Sequence, residues 1–442
     1  HGSRDGVVLS EGRLSERSSA DRRRAPWPAE ILGGTIGSVV MLAVVVTIGL
    51  LGYAPLGEAA APRGLAAAFI AVTLGGVLFA LFGRGAMPVA GPSSATALIF
   101  AGAIGPLVHD PAVTAAGASG VALVLAAGGS AVVLMGTLQI VFSRLGLGRI
   151  AQFVPQPVLA GFMNGVAVLI FLSQLPTLLG LHPGAGLADF HAGTLALGLA
   201  TAACTWLIAW RWPRAPAQLI GLAFGLALYA GLHLSSPALM LGGAVGPLPS
   251  SLPMPELAWQ IADGATAAFV WRHGADVLTA AVVLALIGAL ESVLSGMAID
   301  QQLDTHHDAD HDLLVLGAAN IVVGLFAGLP VVVLRARALA TVGAGGMGRR
   351  AAFVGALAFG AMYMLLAPWL AMLPKAVLAV AINLRLARGG VSSQHETLNM
   401  PPGSRRRHIC AKASTVRRWF SAKAWMPDDP PMVLAMGRTI RS

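Results

Sequence analysis

Runs of apolar residues recur along this chain, separated by short polar stretches, and most are about 20 residues long, enough to cross a bilayer as one helix. Their boundaries read as 31–53, 64–82, 92–105, 119–142, 157–180, 194–211, 217–233, 276–298, 312–327, 331–342, 351–372 and 374–386. The ~10-residue alternation of an outer-membrane barrel is not visible, so the pattern predicts an all-α polytopic membrane protein. The third and tenth runs are too short to cross. One opens at Gly91-Pro92-Ser93-Ser94-Ala95-Thr96-Ala97-Leu98-Ile99, the other at Gly328-Leu329-Pro330-Val331-Val332-Val333-Leu334, with Arg335 and Arg337 just inside. A broken helix in a membrane exposes backbone N–H groups that must find a partner. Two such helix starts aimed at the bilayer midplane make a cavity that attracts anions. The first functional expectation is therefore a carrier for a small anion.

Composition supports the membrane reading. Hydrophobic residues make up 56% of the chain and charged residues 11%, with a mean hydropathy of +0.74, whereas soluble domains carry about 25% charged residues. The formal net charge of +9 reads as topology. With a cytoplasmic N-terminus, the loops that return inside hold Arg84, then Arg144 and Arg149, then Arg211 and Arg214, then Arg349 and Arg350. The outside loops hold only Arg63 and Arg272, beside His182, Asp189 and Glu256. That asymmetry follows the positive-inside rule and places the chain as a multi-pass protein of the inner (plasma) membrane. The loop after the eighth run is the exception, being acidic. No basic stripe with interleaved aromatics is present, so nucleic acid is not expected as a partner.

Cys204 and Cys410 cannot make a disulfide framework. Residues 1–30 read as a basic cytoplasmic tail rather than a signal peptide, with the first span serving as the membrane signal. The transmembrane domain is expected over 31–386. Residues 387–442 change character, with Arg405-Arg406-Arg407, Arg417-Arg418 and Pro430-Pro431 and no helical or strand period. They read either as a disordered basic tail or as the product of a frame disruption near residue 386. The second is favoured, because the last run stops short of the ~20 residues a span needs.

Glu291 is the sharpest single position, a carboxyl well inside an apolar helix, where such groups usually face a cavity and serve a function. Ser295 lies at i+4 on the same face, and the pair suits a proton or sodium site. The alternative is a neutral carboxyl hydrogen-bonded between helices. A guanidinium at the start of the tenth run would add charge and donors to a helix N-terminus. Arg335 and Arg337 do not share a helix face, and Arg337 is the preferred site residue, with snorkelling to the interface as the alternative. Ser93, Ser94 and Thr96 give the other broken helix hydroxyls that either cap it or donate to an anion. The run Asp304-Thr305-His306-His307-Asp308-Ala309-Asp310-His311-Asp312 does not match a zinc spacing and reads as a solvated loop or inter-span contact, so no metal site is expected. No nucleophile elbow, phosphate-cradling loop or kinase signature is present, and an enzyme is not expected.

Three stretches resemble the SulP family of anion transporters: Gly91 to Thr96; Gly148-Arg149-Ile150-Ala151-Gln152-Phe153-Val154-Pro155-Gln156-Pro157 through Gly165, with Gln174-Leu175; and Glu291-Ser292-Val293-Leu294-Ser295 with Asp300, Gly317-Ala318-Ala319-Asn320, Gly328-Leu329-Pro330 and Arg337. The resemblance implies an inverted 7+7 transmembrane repeat with core and gate domains, of which about twelve of fourteen spans are here, and with spans three and ten as half-helices. It implies an anion site of Ser93, Ser94, Ala95 and Thr96 facing Val331, Val332 and Arg337, and an ion-coupling pair, Glu291 and Ser295. Secondary active transport of sulfate, bicarbonate or a dicarboxylate follows, with no cofactor beyond a coupling H⁺ or Na⁺. The lipid bilayer and a small anion are the partners, with a homodimer compatible. The family's last two helices and STAS domain are not seen in the sequence. Ile48-Gly49 stands where a Gln is usual, Arg335 is extra, and the small or hydroxyl residues after Pro330 have become Val332, Val333 and Leu334. The expected pocket is thus lopsided: backbone and hydroxyls on one side, mainly charge on the other. A nucleobase permease, a non-transporting remnant and, third, a membrane enzyme are the alternative readings.

Overall fold

The computed structural model describes residues 26–151, 174–181, 191–212, 217–235, 243–246, 255–374 and a few positions besides. The chain divides into His1–Arg385 and Leu386–Ser442. The second unit, residues 1–25 of the expected N-terminal tail, much of the expected span 157–180 and nearly all of 374–386 lie outside the described residues, while residues 27–30 at the end of that tail belong to the first helix.

The first helix, α1, runs Trp27–Tyr53, with a proline in its first turn, where the missing N–H is not needed. Helix α2 covers Ala61–Phe82 and contains one π-helical turn, Ala71–Gly75. A strand β1 (Ala90–Pro92) leads into the short helix α3 (Ser94–Ile104). Helices α4 (Gly120–Arg144), α5 (Ala192–Arg211), α6 (Ala217–Ser235), α7 (Gly274–Leu303) and α8 (Ala309–Leu325) follow. Strand β2 (Val331–Val333) then leads into the short helix α9 (Arg335–Gly343), and α10 spans Arg349–Ala371. Among the described helices, six are long and apolar enough to cross a membrane. The chain is thus a multi-pass helical membrane protein.

The packing is set by small residues, as expected where lipid is as apolar as the side chains and only close approach gains contact. The α4–α8 crossing rests on Gly136 and Gly317, each against the other's backbone. A methyl group at Gly317 would sit 2.6 Å from the Gly136 carbonyl oxygen, and one at Gly136 would press on that of Gly317. Helix α10 packs on α1, α1 on α2, and α7 on α4.

Two differences from the sequence reading have physical causes, and one expected inter-span contact is found. The tenth span does not start at residue 331: Val331–Val333 is a strand antiparallel to β1, with Ala90 opposite Val333 and Gly91 opposite Val332, and the helix begins at Arg335. Three successive β-branched residues favour that extended pairing over a first helical turn. Helices Glu256–Ala262 and Gly264–Arg272 form in a stretch read as connection, the second capped by Asp263 accepting from the Thr266 N–H. The acidic loop after the eighth span meets the basic loops beside it: Arg84 pairs with Asp308 at 3.6 Å, Arg149 with Asp310 at 3.0 Å, and the Arg84 N–H donates to Asp312 at 2.7 Å. Its carboxylates tie the loops together, and His307 faces Asp300 at 2.6 Å.

Candidate anion site

Two three-residue strands pair beside two helix starts, so β1 feeds α3 and β2 feeds α9. In an antiparallel pair only alternate residues bond to the partner, and the others turn their N–H and C=O outward. Within a membrane those outward groups need partners from the protein. Each outer edge finds them in a different way.

On the β1 edge the Ala90 carbonyl accepts from Arg337 of α9 at 3.4 Å, while the helix start that follows caps itself. Ser93 is the N-cap of α3: its hydroxyl accepts from the Thr96 N–H at 3.2 Å while Thr96 Oγ1 accepts from the Ser93 N–H at 3.4 Å. Ser93 and Thr96 are buried. With its own proton Ser93 Oγ donates to Glu291 Oε2 on α7 at 2.7 Å. The structure therefore brings together Ser93, Thr96 and Glu291. The half-buried hydroxyl of Ser295 is the next polar group along that face of α7, but Ser93 is the carboxyl's hydrogen-bond partner among the described residues. Ala95 is buried and Ser94 half-buried at the α3 start.

On the β2 side other helices do the work. Val331 N–H donates to Asn320 Oδ1 of α8 at 2.7 Å, and Asn320 Nδ2 donates back to the Val331 carbonyl at 3.0 Å. Val333 N–H donates to the Ser292 hydroxyl of α7 at 3.2 Å. Leu334, the N-cap of α9, offers no side-chain cap. Val331 and Val332 are fully buried.

Arg337 stands in the first turn of α9 and is 1% exposed. Its guanidinium turns toward the β1 edge, donating to the Ala90 carbonyl and to Ser38 Oγ of α1, both at 3.4 Å, and lies 4.7 Å from the ring centre of Phe359 on α10. No carboxylate pairs with it among the described residues. Arg335 is exposed. The site residues thus fall into two groups, Ser93, Thr96 and Glu291 in one and Arg337, against the Ala90 carbonyl of β1, in the other. Sequence reasoning missed Ser292 and Asn320 as strand caps, and Ser38 and Phe359 as the guanidinium's companions. A polar residue inside an apolar run was the only signal, and it does not say which backbone group it meets.

At the extramembrane ends of α3 and α7, Asp110 accepts from the Ala112 N–H at 2.7 Å and from Arg272 Nη2 at 2.9 Å, and faces His273 Nε2 at 3.1 Å. The Ala112 N–H first, then His273 and Arg272, hold its carboxyl below the usual range. Among the described residues, no group of three or more His, Cys, Asp or Glu is arranged to hold a metal.

Two short helices that start beside paired strands inside a multi-pass bundle match the broken-helix pattern that recurs among membrane transporters. The chain belongs to the Sulfate permease family, whose pattern matches residues 32–389. That is a family of transporters rather than enzymes, and it displaces the nucleobase-permease and membrane-enzyme readings. YvdB of Bacillus subtilis, provisionally named a sulfate transporter, is 28% identical over 281 residues, covering 60% of this chain and 51% of its own length. The bicarbonate transporter BicA of Picosynechococcus is 26% identical over 213 residues, covering 45% of this chain and 36% of its own. The chain spans about half the length, or less, of these curated relatives. The transmembrane domain of a cyanobacterial BicA has the same fold, with a TM-score of 0.68 at 22% identity over 81% of this chain and 87% of that one.

Proposed function

We propose that the chain carries a small anion of the sulfate, bicarbonate or dicarboxylate class across the inner membrane, with Arg337 and the starts of α3 and α9 binding the anion and Glu291 coupling it to H⁺ or Na⁺. The observation that carries this is the buried Arg337 guanidinium without a carboxylate partner among the described residues. An uncompensated buried charge is strongly destabilising. It also stands at the positive end of the α9 dipole, where a cation is disfavoured. A bound anion relieves both penalties, and strand and helix-start N–H groups are suited to hold it. Sulfate and bicarbonate are named because relatives are named for them.

Glu291 supports the coupling role. It is a carboxyl inside a spanning helix, and its partner Ser93 caps the other helix start. Protonation or sodium binding there would be felt directly at the α3 N-terminus. The arginine-rich inner loops support a cytoplasmic N-terminus, and assembly as a homodimer is part of the same reading.

The test is uptake of labelled sulfate and labelled bicarbonate into proteoliposomes under an inward H⁺ or Na⁺ gradient, beside Glu291→Gln. Saturable uptake that loses its gradient dependence in the variant is expected. Uptake that responds to the gradient equally in both proteins removes Glu291 from coupling, and no uptake of either anion overturns the transport reading.

A further inference from the structure

Asn320 occupies the place of a missing third strand. Its amide oxygen takes the Val331 N–H and its amide nitrogen returns a hydrogen bond to the Val331 carbonyl, at 2.7 and 3.0 Å, the two-way exchange a neighbouring strand residue would make. Only the oxygen can accept, so the orientation of the amide is fixed by the network. Its second N–H points away from β2 and donates to Gln139 Oε1 of α4 at 2.8 Å.

That last bond fixes Gln139 in turn. With Oε1 spent on Asn320, its Nε2 faces the other way, close to Gly288 of α7, and has no hydrogen-bond partner among the described residues although the side chain is fully buried. A buried donor left unmade is costly, and flipping the amide would satisfy neither side, since two N–H groups would then meet. The chain of contacts runs from Gln139 through Asn320 to Val331, two residues before Val333 and four before the first residue of α9. Both amides sit at the α4–α8 crossing where Gly136 and Gly317 bring the backbones together.

We propose that Gln139 and Asn320 are positioning residues for the anion site: acting through Val331, they hold β2 against α8 and so set where the α9 start and Arg337 stand when the anion binds. The inference rests on the anion-carrier reading for its second half only. Neither side chain touches the anion. The pair sets its affinity by fixing β2, and the unspent Gln139 N–H is the penalty for presenting oxygen to Asn320.

The experiment compares the full chain with Asn320→Asp and Gln139→Met in lipid nanodiscs and proteoliposomes. Asn320→Asp keeps the acceptor for the Val331 N–H and removes both donated bonds. Gln139→Met leaves both Val331 bonds in place and strips Asn320 of its support, so it folds even where the first variant does not. Amide hydrogen exchange across Val331–Val333 and the half-saturation for sulfate and bicarbonate uptake are measured on each, with the melting temperature alongside. Faster exchange in both variants is expected, with half-saturation raised about tenfold for one lost buried hydrogen bond and the maximal rate within about twofold. The effect of the double variant should fall short of the sum of the two single effects, since the two act in one chain. Unchanged exchange at β2 in a folded variant overturns the clamp. Unchanged half-saturation with a lowered melting temperature and maximal rate makes the pair a brace of the bundle and overturns its role at the site. Faster exchange in variants of a parent that takes up neither anion leaves the clamp standing and overturns the anion reading, and with it the pair's role in affinity.

Discussion

The two halves of the ribbon are held in different ways. The β1–α3 half is closed by its own residues, Ser93 and Thr96, three positions apart in a reciprocal cap. The β2–α9 half has no local side-chain cap. Its outward N–H groups are met by Asn320 and Ser292, 11 and 41 positions away. Its charge, Arg337, reaches across to the β1 edge. A locally capped helix start keeps its geometry whatever its neighbours do. A start capped by other helices moves when they move. We therefore expect the first half to be the fixed element and the second the responsive one, with Glu291 on α7 joined to the fixed half through Ser93 and its neighbour Ser292 joined to the responsive half through Val333.

The largest effect should come from the charge on the responsive side. Arg337→Met removes the buried guanidinium, and anion uptake in proteoliposomes should fall about a hundredfold, the worth of charge-assisted hydrogen bonds to an anion. The variant should melt no lower than the parent in the absence of anion, because an uncompensated buried charge is gone. A lower melting point with unchanged uptake would make Arg337 a strut between β1, α1 and α10 instead.

Next comes the crossing under the responsive half. Gly317→Val drives a side chain into the Gly136 carbonyl and should destabilise the bundle by about 1–3 kcal/mol through overpacking, read as a fall in melting temperature. Hydrogen exchange should rise at Val331–Val333 and stay unchanged at Ser93–Ala97, because α3 carries its own cap. Equal exposure of both would erase the distinction between fixed and responsive halves.

Ser93→Ala attacks the fixed half. The loss of an N-cap should lower stability by about 1 kcal/mol, and exchange should rise at α3 and not at β2. The same change strips Glu291 of its hydroxyl donor, so the pH profile of uptake should shift from that of the parent, because hydrogen bonds to a carboxyl set how readily it takes a proton. Uptake with an unmoved pH profile would uncouple Ser93 from the carboxyl.

The smallest effect concerns Asp110, where the linker after α3 meets Arg272 and His273 at the α7 start. Its carboxyl titrates below the usual range, so its contribution is present above the unfolded carboxylate pKa and is lost as pH falls through the lower folded value. Asp110→Asn should lower the melting temperature slightly at neutral pH, and the two proteins should converge in acid. A difference that persists in acid would assign the effect to something other than the charge.

Much of this was legible along the chain. The apolar runs marked α1, α4, α7 and α10 to within a few residues, because a lipid-spanning segment writes its length into an uninterrupted stretch of apolar side chains. Gly91-Pro92 followed by Ser93 and Thr96 marked a capped helix start, since its partners are neighbours in sequence. Glu291 stood out because a carboxyl in an apolar helix is rare. The strand pairing of Val331–Val333 was not legible: three valines before an arginine read equally as a helix start until β1 lies beside them. Nor were the roles of Asn320, Gln139, Ser292 and Ser38, each a single polar residue in an apolar run.

The sequence alone determined the class of protein, the long apolar helices α1, α4, α7 and α10, the two breaks and the family, because each is set by hydrophobic length, turn chemistry or local motif. Only the tertiary structure decided how the second break is closed. The outward N–H groups of β2 have no partner within reach of their own segment, and in a membrane no water can supply one. The donors and acceptors that meet them arrive from α7 and α8, and the guanidinium that makes the site cationic is turned by α1 and α10. Those pairings depend on which helices pack together, a property of the whole bundle that no local stretch of the chain records.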